Sequence, residues 1–231
     1  MSVKFYTFSY NNPTREANMR RRFSEENLIL NFVNSVDNSD PRLAAAPIEV
    51  RRNWAIMFNH LDMLTEFLNS TVEFGIFCED DIFIRRNLKE FLPEIVQATK
   101  RRSLEIVLLG YLLPFKPVEI QIRHAQFAEQ GPNFTFHNFS DETWGSQMYM
   151  LSRSAATRLL HKYNSAYALE TLTNPSLTPF SPDWTLTKDG RRAAIYPMLA
   201  VEEGIVVTSH QGQIDFHRNC FNAQFDPAQF H

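Results

Sequence analysis

The sequence predicts an α/β protein, a largely parallel sheet covered by helices, on two observations. From Val3 to Leu109, short apolar β-prone runs alternate with segments of helical periodicity, the rhythm of strand–helix–strand units. The composition is that of a filled core: of 231 residues 44% are apolar and 21% charged, with 20 Phe against 7 Gly. The length suits one domain, and no repeat, low-complexity tract or break in composition divides it.

The elements follow in chain order. Val3 to Tyr10 is aromatic and β-prone and stops at the turn signal Asn11-Asn12-Pro13. A helix begins near Thr14, its expected N-cap, and carries Arg20, Arg21 and Arg22 on an exposed turn. Leu28 to Val36 reads as a second strand, closed by Asp37-Asn38-Ser39-Asp40-Pro41. Ile48 to Leu68 is the clearest helix, because Trp54, Met57, Phe58, Leu61, Leu64 and Leu68 recur at spacings of three and four. Phe74 to Cys78 is a short apolar strand, Leu88 to Lys100 is helical again, and Leu104 to Leu109 is a strand broken by Gly110. Beyond it the pattern is less regular: short strands at Gln126-Phe127, Phe134 to His137 and Gln147 to Leu151, then a helix from Ser152 to about Lys162. A Pro- and Thr-rich loop covers Thr171 to Pro182.

Composition also excludes. Lys and Arg number 23 against 26 Asp and Glu, a net charge of −3, so no overall positive field draws nucleic acid. Two cysteines, Cys78 and Cys220, are too few for a disulfide framework in this length. No run approaches the roughly 18 apolar residues of a membrane span. The opening Met1-Ser2-Val3-Lys4-Phe5 reads as strand rather than as an export signal, so a cytoplasmic location is expected. Glycine-rich phosphate loops of the P-loop and dinucleotide types are absent.

The sharpest chemical feature is Glu79-Asp80-Asp81, three carboxylates directly behind the apolar run Phe74 to Cys78. On strand geometry Glu79 and Asp81 share a face and Asp80 points away. Two like charges about 4 Å apart repel by roughly 4 kcal/mol at an effective dielectric of 20, and a divalent cation turns that repulsion into affinity. Oxygen ligands suit Mg²⁺ or Mn²⁺, and ligands of open α/β sheets bind beyond the carboxyl ends of strands. The plainer alternative is an acidic turn capping the helix that starts near Asn87, with Arg85 and Arg86 neutralising it.

Several segments, in order, resemble glycosyltransferase family 25, the lipopolysaccharide-biosynthesis type with relatives in large algal viruses. They are the opening strand with the arginine-bearing segment Arg15 to Arg22, the stretch Trp54 to Leu61 with Asn59-His60, and the acidic strand end. Trp144-Gly145-Ser146-Gln147 running into Ser152-Arg153-Ser154-Ala155, then Pro182-Asp183-Trp184 and Tyr196-Pro197, complete the match over residues 3 to 210. Asn59 stands where the family usually has Ser.

The resemblance implies a GT-A fold in a single domain, 1–231, with a mixed central sheet flanked by helices. Residues to about 110 would form the nucleotide-sugar donor half, and the remainder the acceptor half. It further implies metal-dependent transfer from a nucleoside-diphosphate sugar, UDP-linked, to a glycan or glycoprotein acceptor in the cytoplasm, the host's if the source is viral. Asp81 is then the Mn²⁺ or Mg²⁺ ligand, completed by His217 or His210, with Glu79 and Asp80 on the ribose or a metal-bound water. Thr7, Ser9, Arg15 and Asp37 are candidates for the base, ribose and diphosphate. Arg51, Arg52 and Asn53 open the long helix, where a helix N-terminus and guanidinium groups favour phosphate. Asp183 is the candidate base, with Asp141 and Glu142 as second choices, although Asp183 reads equally as an N-cap for Trp184 to Lys188. Trp144, Trp184 and Tyr149 are candidates to stack on a sugar, and His217 and Cys220 resemble half of a zinc site. Two alternatives stay open: a non-catalytic sugar- or protein-binding module, and a metal-dependent phosphoesterase.

Overall fold

The computed structural model describes residues 3–116, 128–130, 133–206 and 208–231. Its strands are β1 (Val3–Thr7), β2 (Leu30–Phe32), β3 (Phe74–Cys78), β4 (Ile82–Ile84), β5 (Ile106–Gly110), β6 (Ala128–Gln130), β7 (Thr135–His137), β8 (Met148–Ser152), β9 (Arg192–Tyr196) and β10 (Ala200–Glu202). Its helices are α1 (Pro13–Glu25), α2 (Ile48–Leu68), α3 (Leu88–Arg101), α4 (Arg153–Lys162), α5 (Ser165–Thr171) and α6 (Gln211–Gln224). The main sheet has the order β2-β1-β3-β8-β5-β9-β7-β6, and β10 and β4 form a separate antiparallel pair.

The sheet is mixed, as the resemblance implies, rather than largely parallel, as the strand–helix rhythm alone predicts. The pairs β1–β2, β1–β3 and β5–β9 are parallel, but β8 inserts antiparallel between β3 and β5. An apolar run such as Met148 to Leu151 is buried on both faces in either direction, so its composition does not disclose its sense.

Period-2 alternation splits the core. Phe5, Ile76, Val107 and Met150 pack on one face beside Met19 and Phe23 of α1 and Leu92 of α3. Tyr6, Phe77, Leu108 and Tyr149 face the other way, against Trp54, Phe58, Leu61 and Leu64 of α2 and Leu159 of α4. The apolar stripe of α2 is buried as its spacing required. The far end of that helix has no basic residue of its own; Arg153 donates to the carbonyls of Leu68 and Ser70 at 2.8 Å and so caps it from α4.

Local signals were overridden in several places. The N-cap of α1 is Asn12, not Thr14: its side chain accepts from the Arg15 amide at 3.1 Å and Pro13 takes the first helical position. Arg22 is not exposed but 3% accessible, donating to the Ile82 carbonyl and to Glu203 and lying over the Phe83 ring. The second strand is confined to β2, because past Val33 the chain leaves the sheet. Trp184 to Lys188 form successive turns instead of a helix. The run Gln126-Phe127 lies outside the described residues. Among the described residues, no helix is long and apolar enough to cross a membrane.

Candidate functional site

The acidic run occupies the bend between β3 and β4, at the carboxyl end of a central strand flanked by β1 and β8. Because β3 ends at Cys78, strand alternation does not continue through the run, and the expected pairing of faces is replaced. Asp80 and Asp81 share Arg15, whose guanidinium stands 3.1 Å from one and 3.2 Å from the other. Ser9 donates to Asp80 at 2.6 Å, which makes Ser9 a brace for the acidic run. Glu79 turns towards β8, where Ser146 donates to it at 2.6 Å. Arg85 and Arg86 do not neutralise the run; they bond Gln229 and His231 near the C-terminus.

The electrostatics follow from burial and crowding. Asp81 is 9% exposed and its Oδ1 is buried without a hydrogen-bond partner. Desolvation, with Glu202 adding to it, pushes its pKa up to about 7 against the pull of Arg15. Glu79 is held well above the usual carboxylate range by burial and by the charges of Asp81, Asp183 and Glu202. Burial also raises Asp183, partly offset by the Gly145 amide, which donates to its Oδ1 at 2.9 Å. His217, on α6, meets Glu202 of β10 at 2.8 Å, and that hydrogen bond raises its pKa. Glu79 thus feels the charges of Asp81, Asp183 and Glu202, and the His217 imidazole stands on Glu202.

Hard oxygen donors, an orphaned Asp81 oxygen and an adjacent imidazole fit a divalent cation such as Mg²⁺ or Mn²⁺. Asp81 with His217 or Glu202 would hold it. Among the described residues, no three His, Cys, Asp or Glu side chains already converge on one point. Cys220 is buried and His210 is an exposed residue at the start of α6.

On the β1 side the acidic run lines a cavity of 540 Å³, together with Arg15, Arg51, Arg52, Asn59 and Tyr10, among others. Asn59 supports its wall: its Oδ1 accepts from the Val36 amide at 2.7 Å. Three nucleotide candidates fall elsewhere. Thr7 is 0% exposed, because the last residue of β1 still lies within the sheet. Asn53 is exposed on α2 outside this lining. Asp37 binds Ser39 in a neighbouring groove of 330 Å³, which shares Tyr10 and Asn38 with the cavity.

On the β8 side, Asp183 is held by the Gly145 amide, next to the Ser146 that bonds Glu79, and Asp141 is not. Asp141 is an exposed loop residue paired with Arg192, and its carbonyl accepts from Lys188; Glu142 is exposed beside it. Tyr149 is not available to a sugar: it is fully buried, and its hydroxyl meets His60 Nδ1 at 2.9 Å. Burial lowers the His60 pKa to about 3, and its Nε2 lies 3.9 Å from Glu79 with no hydrogen-bond partner. Sequence reasoning missed Glu202 and Ser146. The pair Glu202-Glu203 behind Leu199 to Val201 repeats the pattern of carboxylates behind an apolar run, and was the available signal.

No protein-family model matches the sequence, and no curated protein does. Among solved structures the chain is similar to mannose-1-phosphate geranyltransferase from Thermus thermophilus, with a TM-score of 0.46 and 12% identity, over 84% of this chain and 74% of that one. It is also similar to a glycosyltransferase involved in the glycosylation of the major capsid of PBCV-1, with a TM-score of 0.39 and 9% identity, over 94% and 98% of the two chains.

Proposed function

We propose that the protein is a metal-dependent GT-A glycosyltransferase that moves a sugar from a nucleoside-diphosphate donor, UDP-linked, to a glycan or glycoprotein hydroxyl. One observation carries the reading: the acidic run Glu79-Asp80-Asp81 at the end of β3 lines a cavity whose other charged walls are Arg15, Arg51 and Arg52. Guanidinium groups recognise a diphosphate, and carboxylates beside them recognise a cation and ribose hydroxyls. A divalent metal there supplies Lewis-acid neutralisation of the departing diphosphate.

The protein's own groups do the rest. Arg15, tied to Asp80 and Asp81, orients the acidic run and offers its remaining N–H groups to phosphate. Asp183 takes the acceptor proton as the hydroxyl oxygen bonds to the anomeric carbon and the bond to the diphosphate breaks; its raised proton affinity suits that role. Asp183→Asn should leave UDP affinity within about twofold while lowering transfer by on the order of 10²–10⁴-fold. Transfer at the wild-type rate would remove Asp183 as the base.

A second reading has one observation in its favour. Arg15 already neutralises Asp80 and Asp81 without a metal, as a non-catalytic binding module would require. That reading calls for nucleotide or sugar binding that is indifferent to Mn²⁺, without turnover.

A further inference from the structure

We infer that Trp144 is the platform on which a pyranose ring of the acceptor stacks, next to Asp183 and away from the arginine-lined cavity. The inference rests on the transferase reading and adds to it the acceptor's class and its subsite.

The exposure of Trp144 is built in by its backbone. The Leu112 amide donates to the Trp144 carbonyl at 2.7 Å, and the next residue, Gly145, donates to Asp183. Gly145 has φ +152°, and a Cβ there would lie 2.4 Å from the Tyr111 Cα, so only glycine fits this turn. On this pinned backbone Trp144 is 38% exposed.

The ring is also backed. Trp184 packs against it at 5.8 Å and 62°, and Phe216 at 6.5 Å and 69°, both edge-to-face. The Trp184 ring is itself engaged by the Lys188 ammonium at 4.3 Å. These contacts hold Trp144 rigid while leaving part of it accessible.

The surroundings select the occupant. The turn that presents Trp144 also clamps Asp183, and Phe216 precedes His217, which holds Glu202. Asp183, the proposed base, is thus tied to the residue next to Trp144, where it can accept a hydrogen bond from a hydroxyl of a ligand on the indole. A pyranose suits both groups: its C–H face carries partial positive charge suited to the negative face of the indole, and its hydroxyl rim supplies a donor to Asp183.

The chain has three tryptophans, so 5-fluorotryptophan labelling yields resonances for Trp54, Trp144 and Trp184, assigned with Trp144→Phe and Trp184→Phe. The labelled protein is titrated with methyl pyranosides of glucose, galactose, mannose, xylose, fucose and N-acetylglucosamine, with and without UDP and Mn²⁺. At least one glycoside should move the Trp144 resonance saturably while Trp54, buried in the core, stays still. That glycoside should bind at least tenfold more weakly to Trp144→Ala, whose unchanged Trp54 or Trp184 signals report an intact fold. No movement of Trp144 with any glycoside, or equal binding by Trp144→Ala, overturns the inference. The readout needs no donor: movement of Trp144 in a protein that does not bind UDP would sink the donor reading and leave the platform standing. UDP binding with a silent Trp144 would do the reverse.

Discussion

Asp81 is a carboxylate 9% exposed, with one oxygen lacking a partner and Glu202 among its neighbours. Its folded pKa of about 7 lies above its ordinary value of 3.8. Between those two pH values the folded chain binds more protons than the unfolded one, so stability falls as pH rises from about 4 to about 7. Asp81→Asn removes this cost. Its Tm should match that of wild type near pH 4.5 and exceed it at pH 8, by about 2–4 °C for each kcal/mol gained. Thermal melts of both proteins across that range check this, and a gap that does not widen with pH would mean that Arg15 keeps Asp81 fully ionised. At this scale the sequence disclosed what chemistry stood next to what along the chain. Glu79, Asp80 and Asp81 stood out because carboxylates follow a buried run; Asp183 was singled out only by the resemblance at Pro182-Asp183-Trp184. Glu202 meeting His217, and Thr7 closing inside the sheet, depend on contacts that no local spacing encodes.

The long helix α2 illustrates the element scale. Its bounds were readable to the residue from a 3.6-residue period sustained over 21 residues, although Asn59, His60, Met63 and Phe67 are buried beside the expected stripe and Leu68 is only half-buried. Strand β3 was equally clear as an apolar run bounded by polar residues. Strands β2, β4 and β10, three residues each, are too short to display a period, and they exist because long-range ladders hold them. The end of α2 was also hidden, because its cap arrives from α4. Arg153→Ala should cost about 1.5–3 kcal/mol, the range for hydrogen bonds to a charged group, with exchange of the last-turn amides of α2 accelerated more than elsewhere. Urea melts with hydrogen exchange on the two proteins test this; uniform acceleration across the sheet would mean that the residue acts on global packing instead.

Over the whole molecule, β8 is the strand that assembles the site. By entering antiparallel between β3 and β5 it places Ser146 on Glu79, and the preceding Gly145 on Asp183. The α/β class was legible from rhythm and composition; the direction of β8 was not, because a doubly buried strand looks alike from both ends. The acidic run thus lines an arginine-bearing cavity on the β1 side and is tied through Glu79 and Ser146 to the Trp144-Gly145 turn on the β8 side. That arrangement suits a donor and an acceptor meeting at the carboxylates. Its central claim is that the acidic run binds a nucleoside diphosphate through a divalent cation. The most direct test is calorimetric titration of UDP into wild type and Asp81→Ala, with and without Mn²⁺. The account requires saturable binding by wild type that weakens at least tenfold without Mn²⁺, and no Mn²⁺ effect in Asp81→Ala. Equal UDP affinity with and without Mn²⁺, or no binding under either condition, would contradict it.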